Sequence, residues 1–111
     1  RGMDPCVWVY PIIVWQSIED ELRKLSSLSQ VNRSFVRSTV RYASSVQHDK
    51  QGRIAVSSNL IQYADLGKEV LILGMVNKIE IWNPDILDSV DKQSQKIDSS
   101  QFDELANQII L

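Results

Sequence analysis

The stretch that decides the reading is Asp49-Lys50-Gln51-Gly52-Arg53-Ile54-Ala55-Val56, with Ser44 to His48 just before it. Residues 44–48 read as a modest strand, Asp49 to Gly52 as a polar turn, and Arg53 to Val56 as a second strand. Gly52 is available for a positive φ that other residues resist. Four residues separate Asp49 from Arg53 across a tight turn, which returns a carboxylate toward a guanidinium. A planar guanidinium fork meeting a carboxylate holds a loop in one shape. Lys50, Gln51 and Gly52 then sit at an exposed tip, where a cationic loop can approach phosphates and base edges. Taken alone, Asp-x-x-Gly-Arg is a common turn with a purely structural meaning. Its neighbours decide between the two meanings.

Downstream, Ser57 or Ser58 can cap a short helix over Asn59 to Leu66, which Gly67 can end. Glu69-Val70-Leu71-Ile72-Leu73, apolar from Val70 on, predicts a strand buried on both faces. Gly74 to Asn77 turns the chain. Lys78-Ile79-Glu80-Ile81-Trp82 alternates polar and apolar, the pattern of a half-exposed strand. Glu80 is then either solvent-facing or paired with a neighbouring chain. Pro84 closes the unit and a helix is expected from Asp85.

Upstream, residues 6–10 are apolar and β-favouring and predict a buried strand. Pro11 suits a first helical position. Trp15, Ile18, Leu22 and Leu25 recur at helical spacing. Ser26 to Ser29 break that helix, and Ser29 is a candidate cap for a second one running to about Arg41. Val31, Phe35, Val36 and Val40 cover one arc of the second helix, and Arg33, Arg37 and Arg41 the adjacent arc. The two helices predict a short αα-hairpin. Arg33, Arg37 and Arg41 form either a solvated face with ion pairs or a contact to DNA or another subunit. Trp8, Trp15 and Trp82 are read as core aromatics. Residues 91–101 read as a linker. The tail, with Ser100 and Asp103 at its start and Phe102, Leu105, Ala106, Ile109 and Ile110 along it, predicts a small amphipathic helix.

Composition bounds the classes. The 111 residues hold 43% hydrophobic and 23% charged residues, which is ordinary globular texture and not disorder. Cys6 is the only cysteine, so neither an internal disulfide nor a thiolate metal cage is available. The apolar stretch Cys6 to Trp15 is too short for a membrane span and is divided by Pro11. A soluble, cytoplasmic protein is expected. The net charge of −2 disfavours a polyanion partner only on average. From Arg23 to Arg53 the bases are Arg23, Lys24, Arg33, Arg37, Arg41, Lys50 and Arg53, and the one acid is Asp49. Local potential steers a polyanion.

Catalytic signals are weak. His48 is the only histidine, so a His-Asp metal-hydrolase site lacks its further ligands. Nothing else supports a triad of His48 with Ser57 or Ser58. Gly67-Lys68 is no phosphate loop, because Gln62 stands where a glycine is needed. No enzyme, cofactor, metal or small-molecule substrate is expected.

Three segments together resemble the MraZ family of bacterial regulators, within the SpoVT-AbrB group of DNA-binding β-barrels. They are the Asp49 to Val56 unit with Leu60 and the Val70–Gly74 strand, Ile79-Glu80-Ile81-Trp82, and Arg1-Gly2-Met3-Asp4-Pro5-Cys6-Val7-Trp8-Val9-Tyr10-Pro11 with Trp15. The likeness covers about residues 1–90. His48 stands where the family has an apolar residue, and Ser57 where it has proline. Both departures bear on the ends of the loop and leave Asp49 and Arg53 untouched. The resemblance implies an α+β fold: half of an AbrB/MraZ-like β-barrel, built of looped-hinge strand pairs with a short helix, plus an αα-hairpin insertion. Residues 1–10 would end a first half, 11–42 form the hairpin, 43–86 the second SpoVT-AbrB-type domain, and 87–111 a helix, linker and amphipathic tail. A second Asp-x-x-x-Arg unit is expected upstream of Arg1.

The function implied is a DNA-binding transcriptional regulator, in the repressor sense, of a cell-division and cell-wall gene cluster. It would bind promoter repeats in double-stranded DNA as a ring-like homo-oligomer associated with the nucleoid. Arg53, Lys50, Gln51, Gly52, Arg37 and Arg41 are the expected DNA-contacting residues, and Asp49 stabilises the loop. The alternative is an antitoxin-like or assembly module that holds a protein partner through its C-terminal helix.

Overall fold

A computed structural model describes residues 1–109. The order is β1 (Val7–Val9), α1 (Ile12–Arg23), α2 (Gln30–Val40), α3 (Ser58–Ala64), β2 (Leu71–Gly74), β3 (Ile79–Trp82), α4 (Pro84–Ser94) and α5 (Ser99–Ile109). Ile110, assigned above to the tail helix, lies outside the described residues.

The strands form one antiparallel sheet in the order β1-β3-β2. Val7 pairs with Ile81 and Trp8 with Glu80 on one side of β3. Ile72 pairs with Ile81 and Leu73 with Glu80 on the other. Residues directly opposite each other share a face, and successive residues alternate. Val7, Ile72 and Ile81 therefore share one face, and Trp8, Leu73 and Glu80 the other. The first face carries the small core: Val7, Ala64 and Ile81 are buried, with Val9, Val56, Leu60 and Leu66 packed around them.

Local chemistry explains the helices. Pro11 lies one position earlier than expected, as the N-cap of α1. Its missing N–H costs nothing at a helix start. Ser29 caps α2 by accepting from Asn32 N, and Ser57 caps α3 by accepting from Leu60 N. Asn83 caps α4 with Pro84 in the first turn. α3 ends at Asp65 in the left-handed region (φ 51°), two residues before the expected Gly67. Short polar side chains tolerate that conformation. The supposed linker is much shorter than 91–101, because α4 runs to Ser94 and α5 starts at Ser99. At that start the Asp98 carboxylate accepts from Ser100 N at 3.0 Å.

Four strand expectations need correction. Residues 44–48 and 53–56 join no ladder. They form the arms of a turn in which Val56 reaches the core but Val46 and Ile54 stay exposed, beside a cavity of about 480 Å³ lined by Val9, Trp15, Ile18, Ile54, Val56 and Leu60. An arm without a strand beside it has no partner for its backbone N–H and C=O groups. β2, expected to be buried on both faces, is an edge strand with Leu71 and Ile72 exposed. β3, expected to be half-exposed, is central and buried from Glu80 to Trp82. α1 and α2 are both present, joined by residues 24–29, but the close backbone packing of an αα-hairpin is not seen between them.

Much apolar surface is consequently open. The radius of gyration is 16.3 Å, against about 13 Å for a compact domain of this length.

Candidate nucleic-acid interface

The Asp49–Arg53 turn is held from both ends. Asp49 N donates to Arg53 O (2.9 Å) and Gly52 N to Asp49 O (3.0 Å), closing the backbone ring. The Asp49 carboxylate is the hub. Oδ1 accepts from Gln51 N and Arg53 N, both at 2.9 Å. Oδ2 accepts from Arg53 Nε at 2.7 Å. An aspartate accepting from the backbone two residues on is the physics of an Asx-turn. Gly52 has φ 78°, and a Cβ added there would meet nothing within 4 Å, so backbone conformation alone selects glycine.

These bonds favour the charged carboxylate. The Arg53 backbone N–H, then its guanidinium, then the Gln51 N–H hold Asp49 below the ordinary aspartate range. The acid therefore stays ionised, and the tip keeps its shape, through the neutral range.

Arg53 uses Nε on Asp49 and Nη2 on Gln51 Oε1 (2.6 Å). Its side chain is nonetheless 74% exposed. Gln51 is thereby oriented by the arginine as well as by its own backbone. Lys50 lies in the same exposed turn and joins no ion pair among the described residues. The tip is an exposed turn, closed by hydrogen bonds, in which Lys50 and Arg53 outnumber the one acid.

The remaining bases of the 23–53 segment divide. Arg23 pairs with Glu19 and Asp20, and Lys24 with Glu21, so α1 neutralises its own cations. Arg33 donates to Ser27 O (2.8 Å) and ties the α1–α2 connection. Arg37 is exposed on α2, and Arg41 lies 4.9 Å from the Tyr42 ring centre. Neither enters an ion pair among the described residues. His48 borders the 480 Å³ cavity, and the described residues contain no group of three or more His, Cys, Asp and Glu able to hold a metal. No described helix is long and apolar enough to cross a membrane.

A second constellation escaped the sequence reading. Glu80 is buried and its carboxylate accepts from two indoles, Trp8 Nε1 at 2.8 Å and Trp82 Nε1 at 2.9 Å. It does not face solvent, which corrects the solvent-facing reading, and both of its carboxylate oxygens are taken by indoles of its own chain. Trp82 is 2% exposed, in keeping with a core aromatic, whereas Trp8 and Trp15 are only half-buried. Lys78 Nζ lies 4.5 Å from the Trp8 ring centre. Burial first, then the charge of Glu80, pushes the Cys6 thiol up to about 12. Gly2 sits against this cluster, where a Cβ would come within 2.7 Å of Cys6 Sγ and 3.0 Å of Trp8 Nε1. The available signal was the i, i+2 spacing of Glu80 and Trp82, which places both on one sheet face; Trp8 joins them there only through the β1–β3 register.

The fold and the site define a small α+β scaffold that presents a stiffened cationic turn. Residues 40–109 match the family model described as "MraZ protein, putative antitoxin-like". A transcriptional regulator MraZ of Natranaerobius thermophilus is 38% identical over 110 residues, covering 99% of this chain and 74% of the relative. That of Halothermothrix orenii is 40% identical over 107 residues, covering 93% and 75%. That of Pediococcus pentosaceus is 36% identical over 110 residues, covering 99% and 74%. The chain belongs to the MraZ family, a family of transcriptional regulators and not of enzymes. It spans about three quarters of the length of these relatives.

Proposed function

We propose that this chain is a DNA-binding transcriptional regulator, and that its Asp49–Arg53 turn is the element that enters a DNA groove. The observation that carries the reading is the Asp49 hub, whose three accepted hydrogen bonds pre-shape an exposed turn bearing Lys50 and Arg53. A tip shaped before binding loses little conformational freedom on contact. Lys50 supplies phosphate attraction. Gln51 and Arg53 supply donors for base edges, and Gly52 lets the backbone come close. Arg37 and Arg41 add positive potential, as DNA contacts or as contacts to another subunit.

The wider reading is that the arms at 44–48 and 53–56 complete a SpoVT-AbrB-type barrel with strands from outside this chain. Residues 1–10 would end a first half, α1 and α2 would form the 11–42 insertion, and 43–86 the second unit. Several copies would array their tips as a ring, so that weak single contacts add up on promoter repeats through effective concentration. The regulated genes would be a cell-division and cell-wall cluster, controlled by repression in the cytoplasm at the nucleoid.

A gel-shift series on promoter-repeat DNA tests this. Arg53→Ala weakens binding about fivefold to a hundredfold and narrows the preference for the repeat over scrambled DNA. Affinity also falls steeply with salt, as counterion release requires. Unchanged affinity and preference in Arg53→Ala would remove the turn from the mechanism.

The second reading, an antitoxin-like module, is favoured by the exposed apolar stripe Phe102, Leu105 and Ile109 on α5. Deleting residues 97–111 separates the two. A protein complex lost with DNA binding intact supports the module; lost DNA binding supports a structural tail.

A further inference from the structure

We propose that α5 of one copy docks on α2 of a second copy, an interface that rests on the homo-oligomer reading above and gives it a specific contact. Two observations meet here. The first is an unpartnered stripe. At ~100° per residue Phe102, Leu105, Ala106 and Ile109 fall within one arc of about 100° on α5. Phe102, Leu105 and Ile109 are 52%, 54% and 66% exposed. The second is charge. α5 carries Asp103 and Glu104 and no base between Ser99 and Ile109. Two α5 helices brought together would oppose like charges.

Among the described helices only α2 complements it. α1 holds Glu19, Asp20 and Glu21 and spends its bases on them. α3 has no charged residue. α4 has Asp85, Asp88 and Asp91 against the single Lys92. α2 holds Arg33 and Arg37, is followed by Arg41, and has no acid. It also leaves Val40 exposed beside the arginines, with Val36 half-buried next to it, while Val31 and Phe35 lie about 140–180° round the helix from Val40. Val36 and Val40 lie beside the arginine arc, so an apolar stripe set there places Asp103 on one flank near Arg37 and Arg41. Within the single chain α5 shares no extended packing with α2, and Phe102, Leu105, Ile109 and Val40 stay exposed. A second copy supplies both complementary surfaces at once, and such a head-to-tail contact propagates into a closed ring when its rotation allows.

Full-length protein is examined by sedimentation, with circular dichroism as the check that each variant is folded. Asp103→Arg with Glu104→Arg, and separately Arg37→Glu with Arg41→Glu, each raise the dissociation constant between copies about tenfold or more. Mixing the two variants restores association, because each then meets its complement on the other copy. Leu105→Asp weakens association to a similar degree without restoration by either partner. As a second readout, copies bearing Val40→Cys mixed with copies bearing Leu105→Cys form a cross-linked dimer on oxidation. The native Cys6 is buried and does not compete. Unchanged mass in both charge variants, no restoration on mixing, or a cross-link formed only within one chain carrying both cysteines overturns the interface. An oligomer that persists in all variants defeats this contact alone, whereas a wild-type monomer at every concentration defeats the oligomer reading as well.

Discussion

Replacing Glu80 tests the least expected feature of the fold. In Glu80→Gln the side chain keeps its length but one end becomes an NH₂ group. That group faces an indole N–H, so one of the two bonds, at 2.8 and 2.9 Å, is lost and the other ceases to be charge-assisted. Hydrogen bonds to charged groups contribute about 1.5–3 kcal/mol each. Relief from burying a charge offsets part of the loss, so the net cost is about 1–3 kcal/mol. Glu80→Ala strands both donors, Trp82 in the core and Trp8 within partial reach of water, and removes packing atoms besides; about 2–4 kcal/mol follows. The indoles report on their own environment, so urea unfolding followed by tryptophan fluorescence is the assay. With a slope of about 1–2 kcal/mol per molar, Glu80→Gln lowers the midpoint by roughly 1 M and Glu80→Ala by more. A midpoint unmoved in Glu80→Gln, or glutamine more damaging than alanine, would refute the account of Glu80 as a clasp between two indoles.

Three further outcomes follow from particular residues. Gly2→Ala forces a methyl toward Cys6 Sγ and Trp8 Nε1 and destabilises by about 1–3 kcal/mol in the same assay. Val76 is fully exposed in the β2–β3 turn with φ 70°, a conformation costly for a β-branched residue. Val76→Asn should raise stability by about 1 kcal/mol, and a lower thermal midpoint would contradict this. Asp49 is depressed by its bonds to Arg53 and Gln51, so the stabilisation it gives the turn is complete above the ordinary aspartate pKa. It is lost only as pH falls through the lower folded value. Carboxyl-carbon NMR should show Asp49 titrating below an unstructured aspartate, and the Gln51 and Arg53 amides shifting with it; a normal midpoint would mean that the hub does not form.

The elements were legible where the deciding chemistry is local. Ser29 and Ser57 mark helix starts because a hydroxyl satisfies an amide three residues on. Asp49 and Arg53 are equally local, and the turn they close follows from four residues of spacing. Burial is not local. The alternation of Lys78 to Trp82 correctly separates two faces of a strand but says nothing about which neighbours cover them. β1 and β2 flank β3 and bury Glu80, while β2 itself, for all its apolar residues, lies at an edge. Residues 44–48 and 53–56 have the texture of strands, yet pairing requires a second backbone that these residues do not find in this chain. The role of Glu80 depends on Trp8, 72 positions away, which only the register reveals.

The central claim is that the Asp49-pinned turn is the surface that meets DNA. Amide chemical shifts of the full-length protein, recorded as promoter-repeat duplex is added, test it most directly. Lys50, Gln51, Gly52 and Arg53 are expected to show the largest changes, with smaller ones at Arg37 and Arg41. Unmoved tip amides alongside saturable binding elsewhere on the molecule would contradict it.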